Sequence, residues 1–381
     1  MRFLWGAATA AHQVEGDNDG SDVSLAEKVP GLFAEPSGRA CDSYHRYPED
    51  IALVRSLGLD AYRFSLEWSR IEPARGEFST GAIDHYRRMV DCCRDAGIEP
   101  VVTLHHFTSP AWLGGWLCQD APERFARYVE AITPILQDVE IVCTINEPNV
   151  LYEFAHLLAG VAEPDPVARD HLMAAHSGAV DALRGDRQVG LTLAMRAWHA
   201  VAGGEDHAAR LSDEAEGRFL RDLPGDFIGV QSYTGEIVGP DGIVPVAPGE
   251  PTTLTGWRVQ PDALGACVRR AAELSGLPVI VTENGIATDD DRVRIDYLQR
   301  ALASLDDARA DGVDVRGYFA WSLLDNFEWL MGYRPTFGLV SVDRTTFERR
   351  VKPSGQWFAD EVRHRRTAPD ARSAPAPAPR G

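Results

Sequence analysis

Apolar positions in this chain gather into short, nearly continuous runs, separated by longer stretches that are apolar on one face only. The runs are FLWGAAT from Phe3, DAYRFSL from Asp60, EPVVTLH from Glu99 and IVCTINE from Ile141, then VGLTLAM from Val189, DFIGVQSY from Asp226, PVIVTEN from Pro278 and VRGYFAWS from Val315. Most are bounded by Gly, Pro or Asp, the pattern of parallel strands buried on both faces. Between them, DIALVRSLG puts Ile51, Val54 and Leu57 on one helical face, with Gly58 as a stop. AIDHYRRMVDCCRDAG does the same with Ile83, Tyr86, Met89 and Val90, and PERFARYVEAITPIL and DALGACVRRAAELSG follow suit. Eight strand–helix alternations predict an α/β fold, a single-domain (β/α)8 TIM barrel. An open doubly wound sheet is the alternative, but no GxGxxG follows the first run. The barrel is expected over residues 1–366. The segment 367–381, TAPDARSAPAPAPRG, is Ala/Pro-rich, lacks core residues and is expected to be a disordered tail.

Composition narrows the chemistry. The net charge of -19 repels nucleic acid and anionic lipid, so neither is an expected partner. The only lysines, Lys28 and Lys352, lie outside the strand runs, which disfavours a Schiff-base barrel. The six cysteines show no CxxC pair. His105 and His106 are adjacent on a strand, so at most one faces the barrel mouth. No metal and no cofactor is expected. No charged leader precedes the apolar run at Phe3 and no apolar run reaches 18 residues, so a cytoplasmic protein with free thiols is expected.

Barrel active sites form at the C-terminal ends of the strands. The polar residues closing the runs are Gln13 and Glu15, Arg63 with Glu67 and Trp68, His105–His106, Asn146–Glu147, Tyr233 and Glu283–Asn284. The eighth run ends at Trp321–Ser322 and leads to Asp325, Asn326, Glu328 and Trp329. A single glutamate at a strand end is ordinarily a salt-bridged terminus. Glu147 and Glu283 instead close strands four and seven, on opposite sides of one mouth. Two carboxyl groups facing across a sugar ring are the apparatus of glycoside hydrolysis. Trp68, Trp112, Trp116, Trp257, Trp321 and Trp329 fall in loops or strand ends on that side, where indole faces suit the apolar face of a pyranose.

These segments resemble glycoside hydrolase family 1, the β-glucosidase family. The likeness runs in order from FLWGAATAAHQVEG and ACDSYHRYPEDIALVRSLGLDAYRFSLEWSRIEP through VTLHHF, TINEP, DFIGVQSYTG and VTENG to WSLLDNFEWLMGY and FGLVSVD. The resemblance implies that Glu147 is the general acid/base and Glu283 the nucleophile, with Arg63 and Tyr233 holding the latter ionised. It implies that Gln13, His106, Asn146, Glu328 and Trp329 surround the sugar hydroxyls. Trp321 would lie beneath the sugar, Phe337 beside it, and Trp257 on the leaving-group side. The chain departs from the family at Phe107 and Thr108 (usually Trp and Asp), Gln231 and Ser232 (usually Asn and Tyr) and Thr336 (usually Arg), and its loops are short. Phosphoglycosidases of the family resemble this chain but carry a serine at the position of Glu328, with a lysine nearby. The expected function is therefore a retaining exo-β-glycosidase, foremost a β-glucosidase, hydrolysing unphosphorylated small-molecule β-glycosides by double displacement. Transfer of the sugar to an alcohol, or sugar binding without catalysis, are the alternatives. Glycone, aglycone and oligomeric state stay open.

Overall fold

The eight apolar runs become eight parallel strands: β1 Leu4–Ala8, β2 Ala61–Ser65, β3 Glu99–His105, β4 Ile141–Asn146, β5 Gln188–Ala200, β6 Phe227–Gly239, β7 Val279–Asn284 and β8 Val315–Trp321. The structure is a computed structural model describing residues 2–159 and 165–367. Each strand pairs with the next, and β8 pairs back onto β1 through Leu4–Gly317 to Ala8–Trp321, closing the barrel. Closure leaves no open edge, so every strand is covered on both sides and reads as continuously apolar.

Helices return the chain between strands: α1 Ser43–Ser56, α2 Thr80–Asp95, α3 Ala121–Ala131, α4 Pro148–Ala159, α5 Pro166–Leu183, α6 Glu205–Ser212, α7 Ala263–Ser275, α8 Asp291–Ala310 and α9 Pro353–Thr367. Ser79, Asp165 and Asp290 cap α2, α5 and α8 by accepting backbone N–H groups. Ile51, Val54 and Leu57 are buried, as are Tyr86, Met89 and Val90, whereas Ile83 is only half-buried. The larger apolar core lies between strands and helices. A smaller one fills the barrel, with Leu4, Val101, Ile141, Phe227, Ile280 and Phe319. Together these place the closing residues of all eight strands around one rim.

Three features exceed the sequence reading. The fifth run ends at Met195, but β5 continues to Ala200 and pairs with Gly235–Val238 of β6 beyond a bulge. Arg196 and His199 belong to this projecting ribbon, where exposed polar residues break the apolar signal. Short antiparallel strands at Val340–Val342 and Arg349–Val351 follow the barrel. Thr367 ends α9 instead of opening a tail, and residues 368–381 lie outside the described residues. No helix among the described residues is long and apolar enough to cross a membrane.

Candidate active site

A cavity of about 330 Å³ opens at the C-terminal rim, lined by Gln13, His106, Glu147, Tyr233, Trp257, Glu283, Trp321, Glu328, Trp329 and Phe337 among others. A larger cavity, about 420 Å³, lies at the opposite end, by Asp60, Arg94, Glu99 and Glu140. Its charges are partly committed to ion pairs such as Arg94–Glu99 at 3.3 Å, and barrels place their chemistry at the other face.

Glu283 sits in β7 and is 3% exposed. A Nη1–H of Arg63 and the Nε2–H of Gln231 donate to its Oε1 at 2.5 and 2.7 Å, and the Tyr233 hydroxyl donates to its Oε2 at 2.5 Å. Burial raises its pKa; the Arg63 charge and the bonds from Tyr233 and Arg63 oppose that rise. Bulges in the pairing of β7 with both neighbours set its direction. Gly285 must be glycine, because a Cβ there would overlap the Trp321 carbonyl.

Glu147 sits where β4 turns into α4. Its φ of 45° is left-handed, a conformation worth about 1 kcal/mol or more of strain in a glutamate. Its N–H is held by the Thr192 carbonyl at 2.8 Å, and its own carbonyl accepts Val150 and Leu151 N–H as the helix starts. Pro148 opens that helix, where a missing N–H costs nothing. The Glu147 pKa is raised well above the usual carboxylate range, by burial first and then by the Glu283 charge; Arg63 and Arg196 oppose it more weakly. Of the two carboxyl groups, Glu147 is displaced further toward the protonated form, and the three donors on Glu283 favour its ionised form.

Two buried polar side chains beside the glutamates are only partly paired within the protein. Asn146 Oδ1 accepts from Arg63, Gln231 and Thr192 at 2.5, 2.8 and 3.2 Å, so its Nδ2 carries the spare donors. That Nδ2 and Gln13 Oε1 are buried without a protein partner. Gln13 is held from behind by Asn326 and the Phe327 carbonyl at 3.0 and 2.8 Å. Burial, then Arg63 and His105, keeps His106 neutral, so it can donate or accept. Its ring lies nearly parallel to Trp321, at 6.0 Å. Glu328 has a pKa raised well above normal, chiefly by burial, and accepts only a long bond from Trp321 at 3.4 Å. Trp321 and Phe337 are buried walls, and Trp257 is 36% exposed at the mouth.

Other sequence candidates lie elsewhere. Trp68 and Trp116 are core residues packed with Phe125 and Tyr128, and Trp112 donates to the Glu72 carbonyl. A tryptophan near a strand end reads the same whether it points to the mouth or to the helix layer, so the expectation for these three is corrected here. Glu15 is bound by Arg70 and Tyr86, and Glu67 by Ser69 and Thr108. His105 bonds Ser109 and packs on Trp116, leaving His106 to the cavity. Among the described residues no cluster of three or more His, Cys, Asp or Glu could hold a metal ion. Sequence reasoning names Gln231 only as a departure from a pattern, although it touches Glu283. It also passes over Val150, Phe154, Met195, Arg196, Leu330 and Met331, which line the cavity from helix, strand and loop positions without a motif.

Comparison with known proteins shows the family and the fold. A model of the family described as Glycosyl hydrolase family 1 matches residues 1–214 and 229–367. The chain is 37% identical to Thermostable beta-glucosidase B of Thermobispora bispora, covering 95% of this chain and 90% of that protein. It is 32% identical to Beta-glucosidase A of Acetivibrio thermocellus, covering 95% and 97%. That alignment spans 438 positions against 381 residues here, so the relative carries insertions this chain lacks. Among solved structures, a beta-glycosidase superposes with a TM-score of 0.89 at 44% identity over 99% of each chain. The family 1 β-glucosidase of Thermotoga maritima gives 0.88 at 31%, covering 95% and 97%.

Proposed function

The chain belongs to glycosyl hydrolase family 1 and is a β-glucosidase-like glycoside hydrolase, and on that premise we propose that Glu283 and Glu147 carry out a retaining double displacement. One observation carries the reading: the two glutamates share a cavity, yet arginine, tyrosine and glutamine donors converge on Glu283 alone, leaving Glu147 to hold the proton.

In the first step a Glu283 carboxylate oxygen attacks the anomeric carbon. The bond to the leaving oxygen breaks, and that oxygen takes its proton from Glu147. In the second, water attacks the same carbon, gives a proton to the now ionised Glu147, and the bond to Glu283 breaks. This needs the carboxyl groups roughly 5 to 5.5 Å apart. Esterification of Glu283 removes the charge that helps keep Glu147 protonated, so Glu147 can serve as a base in the second step.

The substrate is a small unphosphorylated β-glycoside, glucosides first. Asn146 Nδ2, Gln13 Oε1, His106 and Glu328 supply hydroxyl partners, and Trp321 the apolar face. The test is NMR of the first-formed product from nitrophenyl β-glucoside. The β-anomer of glucose is expected first; the α-anomer would rule out double displacement.

A further inference from the structure

Gln231 lies in β6, opposite Glu283 in the β6–β7 pairing, and it reaches that position through a register shift between Val230 and Gln231. Bulges of this kind re-aim a side chain at the end of a strand. Its Nε2 donates to Glu283 Oε1 at 2.7 Å and to Asn146 Oδ1 at 2.8 Å. Arg63 donates to the same two oxygens through different guanidinium nitrogens, each at 2.5 Å. Two donors and two acceptors thus close a ring of four hydrogen bonds across strands β2, β4, β6 and β7. All four residues are buried.

The ring fixes amide orientations. With Gln231 turned over, its oxygen would face a carboxylate oxygen and an amide oxygen, so only one orientation forms both bonds. Asn146 is fixed likewise: Oδ1 accepts from three donors and Nδ2 is left without a protein partner. Asn146 is also the residue before Glu147. We propose that Gln231 is a positioning residue for hydrolysis: its amide, shared between Glu283 and Asn146, holds the attacking carboxylate and a sugar-binding amide in one fixed relation. Where the family pattern has asparagine, the longer glutamine side chain spans both acceptors here. Buried networks of this kind are worth more than their separate bonds when every member is in place.

Beyond Gln231, the titratable groups acting on Glu283 are Arg63 of β2, Tyr233 of β6, Cys143 of β4, Glu147, and Glu328 after β8, with His106 on the same cavity. None changes when Gln231 is replaced, so a change in Glu283 ionisation reports the lost amide. A donated bond favours the ionised carboxylate, and its loss raises the pH below which the nucleophile is protonated.

The proposal rests on Glu283 as nucleophile, and the experiment separates the two. Wild type, Gln231→Met and Gln231→Asn are treated with dinitrophenyl 2-deoxy-2-fluoro-β-glucoside. The labelled peptide is found by mass spectrometry, the labelling rate measured, and the acid limb of kcat/KM for nitrophenyl glucoside recorded. Wild type is expected to label at Glu283. In Gln231→Met, labelling is expected to slow roughly 10- to 100-fold, as for one hydrogen bond to a charged group, and the acid limb to rise by roughly one pH unit. Gln231→Asn keeps an amide but not the reach, and should fall between; if the Met variant does not fold, it carries the decision. Label on Glu283 at an unchanged rate with an unmoved limb in the variants overturns the role of Gln231. Wild-type label on another residue overturns the nucleophile assignment beneath it.

Discussion

Glu147 and Glu283 open onto the same cavity, and both have raised pKa values, but only Glu283 is hydrogen-bonded by cationic and neutral donors. This asymmetry sets the pH dependence. On the proposed mechanism activity needs Glu283 ionised, so kcat/KM is expected to fall as pH drops through its pKa. It needs Glu147 protonated, so kcat/KM falls as pH rises through the pKa of Glu147, which is displaced further upward. A bell is expected, its optimum above the ordinary carboxylate range. Glu147→Gln should abolish the alkaline limb and cost roughly 100- to 10,000-fold with alkyl glucosides, but far less with dinitrophenyl glucoside, whose leaving group needs no proton. Equal losses on both substrates would remove Glu147 from the acid role.

Arg63 is fully buried and donates to both Glu283 and Asn146. Replacement by Met leaves a buried carboxylate without its cation. Such a loss destabilises by about 3 to 5 kcal/mol unless the carboxylate takes up a proton. In the first case the charged carboxylate loses a donor that orients it; in the second it is neutral and no longer a nucleophile. Calorimetry is expected to show a lower Tm at pH 8, with a smaller deficit at pH 5, where protonation of Glu283 relieves it. Turnover should fall at least roughly 100-fold. An Arg63→Met variant as active and as stable as wild type would mean that the pair contributes nothing.

Much of this architecture is legible in the sequence. The eight strands show because closure buries both faces of each, and continuous burial leaves an apolar run. Glu147 and Glu283 show because two carboxylates end such runs on opposite sides of one mouth, an arrangement that a single salt-bridged strand terminus does not account for. The shared donor Gln231 does not show, because its partners come from other strands and its aim depends on a bulge that sequence does not encode locally. Trp68 and Trp116 mislead for the converse reason, since hydrophobicity marks core and sugar platform alike.

Three carboxyl groups, Glu147, Glu283 and Glu328, line the cavity, and Lys352 is engaged with Asp325 at 2.7 Å. A phosphate on the sugar would add negative charge beside them, and no lysine is among the residues lining the cavity. Nitrophenyl 6-phospho-β-glucoside is expected to show at least roughly 100-fold lower kcat/KM than the unphosphorylated glucoside. Comparable rates would mean that Glu328 does not face the sugar.

The central claim is that the Glu283 carboxylate is the group that bonds to the anomeric carbon, and azide rescue reads it directly. Glu283→Ala should lose roughly ten-thousand-fold or more of turnover. Added azide, entering from the face that Glu283 occupied and displacing dinitrophenolate, should restore cleavage and yield α-glucosyl azide. Near-normal turnover without azide, or a β-glucosyl azide product, would contradict the account.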